Sequence, residues 1–158
     1  MKIRNSARII LLDETNRIFL FRFTDTYNPE IGEFWVTPGG GVDDGESFED
    51  AVKRELWEET GIEAGEIGPW IWTREAQFNW EDDLITSHER YFLVRVNQTV
   101  SIHLNNFTQL EKDNYRSHKW WGIEELAKTN DLIFPRQLVP KLREVLNGNV
   151  PPVPVMID

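Results

Sequence analysis

The chain has 158 residues, 40% of them hydrophobic and 28% charged, which suits one globular domain over 1–158 with a sizeable core and excludes a disordered chain. Twenty-seven Asp and Glu against 17 Lys and Arg leave a formal charge of −10. That balance speaks against loose attachment to a nucleic-acid polymer or an anionic membrane, but leaves a small phosphorylated ligand open, because an acidic cluster that recruits a cation inverts the local sign.

Two apolar, β-branched and aromatic runs, Ala7 to Leu12 and Ile18 to Phe23, flank Asp13-Glu14-Thr15-Asn16 and predict a hairpin. Pro38-Gly39-Gly40-Gly41 reads as a turn whose glycines let backbone groups approach a ligand. A helix follows over Phe48 to Thr60, with Ser47 and Asp50 forming a capping-box-like start and Gly61 a stop. Trp70 to Trp80 predicts a strand with Trp70, Trp72, Ala76, Phe78 and Trp80 on one parity. Glu81-Asp82-Asp83 turns the chain into a second strand, roughly Ser87 to Val96, and Trp120 and Trp121 sit on a further short one. A second helix begins near Pro135 or Pro140 and ends before Gly148, and the tail at Pro151, Pro152 and Pro154 lies extended. Mixed strands with few helices imply an α/β or α+β sandwich.

The helix over Phe48 to Thr60 carries the chemistry. At 100° per residue Phe48, Ala51, Val52 and Leu56 form its apolar stripe, yet Glu55 and Glu59 fall inside that stripe and Glu58 at its edge. Like charges three and four residues apart repel, and partial burial worsens the conflict. Arg54 can pair with Glu58, but one arginine cannot neutralise three carboxylates. A hard divalent cation can: Mg²⁺ takes oxygen ligands and bridges carboxylates to substrate phosphates.

The string GGVDDGESFEDAVKRELWEETGI, Gly40 to Ile62, resembles the signature of the Nudix hydrolase family. Gly40, Glu46, Arg54, Glu55, Leu56, Glu58, Glu59, Gly61 and Ile62 stand at its specified positions, and Trp35 with Pro38-Gly39 ahead and Lys119-Trp120-Trp121 behind match the flanks. The resemblance implies a Nudix-like α/β/α sandwich with a mixed sheet and hydrolysis of a pyrophosphate bond in a nucleoside diphosphate derivative with Mg²⁺ or Mn²⁺. It implies that Glu55, Glu58, Glu59 and the Gly39 carbonyl hold the metal, that Arg54 orients the glutamates and that Glu46 braces the loop. An acidic residue before the late tryptophan strand, Glu111, is expected as a metal-associated base, with Glu89 as rival. A fold relative that senses a nucleotide without turning it over is the alternative.

Arg22, at the end of the second apolar run, is read as a contact to phosphate or base, and Phe78 and Trp80 as stacking surfaces near a loop end. His88, His103 and His118 lack metal-cluster spacing and are read as structural. The stretch Gln77 to Trp80 has neither the proline of ADP-ribose relatives nor the tyrosine of dinucleoside-polyphosphate relatives. The absence of cysteine removes disulfides and thiolate sites and speaks against the related isomerase chemistry. What remains is a nucleoside triphosphate, a damaged one included, or a nucleotide sugar. The start MKIRNSARII lacks a secretory core and no apolar run approaches the about 18 residues of a membrane span, so a cytoplasmic place is expected. The oligomeric state stays open, a homodimer included.

Overall fold

Strand β1 (Lys2–Leu12) is the spine of the sheet, and three strands share its edges. The computed structural model describes residues 2–26, 28–97, 100 and 106–158. The predicted hairpin forms: Leu12 pairs Ile18 of β2 (Ile18–Thr24), and Asp13 closes the turn by accepting from the Thr15 and Arg17 N–H groups at 2.9 Å each. Further back the strands diverge. There β1 pairs instead with β4 (Gly39–Gly41), Arg8 opposite Gly39, so the glycine run read as a turn is a short strand. The other edge of β1 runs parallel to β6 (Asp83–Arg95) over its whole length, from Lys2 opposite Ile85 to Leu12 opposite Arg95.

Outside β6 lie β5 (Trp70–Trp80), antiparallel, and then β9 (Val155–Ile157), parallel to β5. The polyproline tail thus ends as an edge strand. On the other side β2 pairs with β3 (Glu33–Val36) and β7 (Tyr115–Trp121), and β8 (Leu132–Phe134) runs parallel outside β3.

Alternation along β1 feeds two cores. Ile10 and Leu12 pack with Trp35, Trp72 and Trp121 under α3 (Ile123–Lys128) and α4 (Leu138–Leu146). Ala7, Ile9 and Leu11 pack on the opposite face with Ala51, Val52 and Leu56 of α1 (Phe48–Thr60). The mixed, curled sheet therefore lies between helical layers, the expected α/β/α sandwich. Helix α1 matches its predicted bounds, with Ser47 accepting from the Asp50 N–H and Gly61 left-handed at φ 70°. Pro140 falls in the first turn of α4, where the missing N–H has no helical partner to lose.

The junction of β4 with β1 depends on one glycine. Gly39 has φ 133°, and a Cβ there would lie 2.1 Å from the Ala7 carbonyl oxygen. That oxygen and the Arg8 Cα at 2.9 Å are both backbone atoms, so neither yields cheaply. Gly39→Ala is expected to cost on the order of 3–5 kcal/mol in urea unfolding. A loss below about 1 kcal/mol would show that β4 can shift off β1 without penalty.

Candidate active site

The divergence of β1 and β2 opens a cleft of about 1020 Å³ between the β4–α1 segment and the sheet. Glu55, Glu58, Glu59 and Glu111 line it together with Gly39, Arg54 and Phe78, so most of the residues singled out by sequence meet in one place. Glu59 is 4% exposed, and its Oε1 accepts the Gly39 N–H at 2.9 Å. The Gly39 amide thus positions the Glu59 carboxylate. A Cβ on Gly40 would stand 2.6 Å from Glu55 Oε1, so the bare backbone of β4 is what leaves room for that carboxylate.

Arg54 ties the wall together. It donates from Nε and Nη2 to the two oxygens of Glu46 at 2.9 Å each, from Nη1 to Glu55 at 3.0 Å and Glu58 at 3.4 Å, and from Nη2 to the Gly41 carbonyl at 2.9 Å. A bidentate guanidinium–carboxylate pair of this kind fixes geometry as well as charge. Glu46 also accepts the Asp43 N–H, closing the loop ahead of α1. The Arg54 side chain holds the Glu46 carboxyl down at about 2.

The carboxylates of α1 are held in the opposite sense. Burial, the neighbouring Glu55 and Glu111 push Glu59 well above the usual carboxylate range, against the Gly39 N–H and Arg8. Burial also raises Glu55, with Arg54 opposing and Glu58 and Glu111 adding to the rise. Among the described residues no three of these groups yet share one cation-sized shell, because Arg54 draws Glu55 and Glu58 while Glu59 bonds to Gly39. The donor set nevertheless fits a hard cation: every side-chain ligand is an oxygen, and the one guanidinium of Arg54 is shared among Glu46, Glu55 and Glu58.

Glu111 sits on the short helix α2 (Gln109–Asn114) rather than in a loop. It completes a capping box, its Oε1 accepting the Thr108 N–H at 2.9 Å while its own N–H bonds Thr108 Oγ1. The rival Glu89 also lines the cleft but is committed to neighbours. Its Oε1 accepts from Arg74 at 2.8 Å and the Tyr91 hydroxyl at 3.1 Å, and Arg8 Nε stands 3.7 Å from Oε2.

Arg22 is not brought to the cleft. Phe21 and Phe23 of β2 line it, and Arg22, of opposite parity, pairs with Glu33 at 3.0 Å and lies over the Trp35 ring. The Trp80 side chain and His103 lie outside the described residues. His88 stands beside Glu75 and His118 bonds the Tyr115 hydroxyl. Three further arginines line the cleft, Arg4, Arg8 and Arg74, none of them within the signature. The signal existed in the period-two run Arg4, Ser6, Arg8, which puts three polar groups on one face of β1.

An intact carboxylate helix beside a nucleotide-sized cleft matches the sequence signature, and the chain fits the NUDIX domain model over residues 2–142. The protein belongs to the NUDIX family. It is 29% identical over 145 residues to an RNA pyrophosphohydrolase of Sphingopyxis alaskensis, covering 84% of each chain. It is 32% identical to the RNA pyrophosphohydrolase of Helicobacter pylori, over 73% of this chain and 71% of that one. Its fold resembles that of a MutT NUDIX hydrolase from Burkholderia pseudomallei, with a TM-score of 0.66, 21% identity, and coverage of 92% and 99%. This NUDIX protein is accordingly a pyrophosphohydrolase-type enzyme.

The raised Glu59 gives a pH signature in the absence of metal. A carboxylate whose folded value lies above its unfolded one favours the fold while protonated, and that stability is lost as pH rises from about 4.3 through the raised value. Metal-free wild type should therefore lose melting temperature relative to Glu59→Gln as pH climbs from about 4 to 8. A gap that stays constant over that range would contradict the assignment of burial to this side chain.

Proposed function

We propose that the chain, as one domain over 1–158, cleaves a pyrophosphate bond in a nucleoside triphosphate or another nucleoside diphosphate derivative, with Mg²⁺ or Mn²⁺ as cofactor and in the cytoplasm. The observation that carries this reading is the charge of the cleft. Seven carboxylates and four guanidiniums line it, so the metal-free site repels a polyphosphate until cations reverse the balance. No described helix is long and apolar enough to cross a membrane.

Divalent cations in the cleft would supply charge neutralisation on the phosphate oxygens and acidify water. Glu55, Glu58, Glu59 and Glu111 would hold them together with the Gly39 carbonyl, with Arg54 and the Gly39 amide fixing the orientation of the α1 carboxylates. The Glu111 carboxylate accepts a proton from the attacking water at Oε2. Phe78, at the rim of the cleft, offers a ring to a base, and Trp80 continues the same strand.

The named activity of the S. alaskensis and H. pylori relatives raises a triphosphorylated RNA end as a second substrate form, against which the net charge of −10 weighs through backbone repulsion. A panel of nucleoside triphosphates, nucleotide sugars, ADP-ribose, dinucleoside polyphosphates and 5′-triphosphorylated RNA tests both. With Mg²⁺ a monophosphate product is expected from the small nucleotides, and chelation should abolish it. Silence across the panel with tight Mg²⁺-dependent nucleotide binding would favour a sensing module instead.

A further inference from the structure

Asn114, the last residue of α2, lines the cleft and is only 9% exposed. Its side-chain amide is oriented from the end of β2. Oδ1 accepts from the Thr24 hydroxyl at 3.2 Å and from the Thr26 hydroxyl. Arg116 Nη2 donates to Thr24 Oγ1 at 3.3 Å, and a guanidinium has no lone pair with which to accept. The Thr24 hydrogen therefore finds its acceptor in Asn114 Oδ1, and two threonines fix which end of the amide faces them.

With Oδ1 held, Nδ2 is the end of the side chain left for a ligand, and among the described residues it donates to no group. A mostly buried amide nitrogen calls for an acceptor, and the cleft is the side from which one can arrive. Thr24, which also lines the cleft, has given its hydrogen to Oδ1 and one lone pair to Arg116, so it offers a remaining lone pair. A donor and an acceptor thus adjoin. A carbonyl would use the donor alone, whereas a hydroxyl accepts from Nδ2 and donates to Thr24 Oγ1. Asn114 follows Glu111 by three residues on α2, so the two share a helix face with Cβ atoms about 5–6 Å apart. Ring hydroxyls of a pentose lie at a comparable distance from the phosphorus it esterifies. Phe23 lines the same cleft, its ring packed at 6.0 Å on Tyr115, and gives the apolar face of a sugar a surface to rest on.

We propose that Asn114 and Thr24 bind a sugar hydroxyl of the nucleotide, so that the enzyme selects ribonucleotides over their deoxy counterparts. This rests on the reading of the cleft as a nucleotide pyrophosphohydrolase site with Glu111 beside the reacting phosphate. A site built to hydrogen-bond a hydroxyl rejects the analogue that lacks it, because its own buried polar groups are then left unpaired.

Binding of AMP, 2′-deoxy-AMP and 3′-deoxy-AMP at fixed Mg²⁺, measured by calorimetry on the full chain, tests the contact without turnover, since a monophosphate has no pyrophosphate bond. AMP should bind the wild type about ten-fold more tightly than at least one of the deoxy forms, and GMP should show the same gap against its own. Thr24→Val, which keeps the side-chain shape and removes the acceptor, should bring the ribo and deoxy forms close to equal affinity. Asn114→Ala should act likewise, and if it fails to fold, Thr24→Val decides alone. Equal binding of all three adenine nucleotides, no binding of any, or a gap that survives in folded Thr24→Val overturns the contact. So does a preference for GMP over AMP that exceeds the ribo-to-deoxy gap, which would give Nδ2 to a base carbonyl. A gap present in wild type together with silence in the nucleotide panel would sink the hydrolytic reading and leave the sugar contact standing.

Discussion

Glu59→Gln is expected to reduce turnover by several orders of magnitude while the protein stays folded. The substitution keeps the shape of the side chain and the oxygen that accepts the Gly39 N–H, so β4 remains docked on α1. It removes the charge that would hold a cation where the phosphate oxygens become more negative, and that stabilisation acts in the transition state. It also removes a buried carboxylate that repels Glu55 and Glu111. The metal-free variant should therefore melt at or above the wild-type temperature near neutral pH. A purely structural Glu59 predicts the reverse ordering, with stability lost first and activity per folded molecule unchanged. Melting temperature and turnover measured on the same samples separate the two, and near-wild-type turnover in a folded variant would refute the metal-site assignment.

The parts of this fold that were legible in the sequence are those decided by near neighbours. Helix α1 begins at Ser47 and stops at Gly61 because both caps act within one turn, and its stripe of Ala51, Val52 and Leu56 repeats at helical spacing. Strand β5 was legible because residues 72, 74, 76 and 78 are covered while 75, 77 and 79 face solvent. The crowding of Glu55 with Glu59 could be read from the same helical wheel, and Glu59 is indeed among the buried residues.

What stayed hidden depends on partners far along the chain. Parallel pairing of β1 with β6 puts Ser6 opposite Glu89, and no local pattern announces that register. Arg8 and Arg74 therefore read as ordinary strand arginines until the sheet joins them to one carboxylate. Arg22 illustrates the converse. Its place after an apolar run suggested a ligand contact, yet parity on β2 sends it to the Trp35 side while Phe21 and Phe23 face the cleft. The glycine run reads in sequence as a turn that lets backbone groups approach a ligand. Its actual role is steric, since a third strand must reach β1 while leaving the Glu55 carboxylate its room.

Glu111→Gln should slow turnover by about 10²- to 10⁴-fold, the range for loss of a general base. Its position makes the test clean. Glu111 is the third residue of α2 and its carboxylate caps the Thr108 N–H, a task that glutamine also performs. Stability should change by less than about 0.5 kcal/mol, as for a substitution that keeps its cap. Magnesium affinity should fall less than in Glu59→Gln. Glu89→Gln is the natural control. Arg74, Tyr91 and Arg8 all converge on Glu89, so neutralising it strands two guanidiniums in partly buried surroundings and should cost about 3–5 kcal/mol of stability. If Glu111 is the base, the two variants separate, one losing turnover in a stable protein and the other losing stability first. Wild-type turnover in a stable Glu111→Gln protein would leave this carboxylate with its capping role alone and return the base to another group of the cleft.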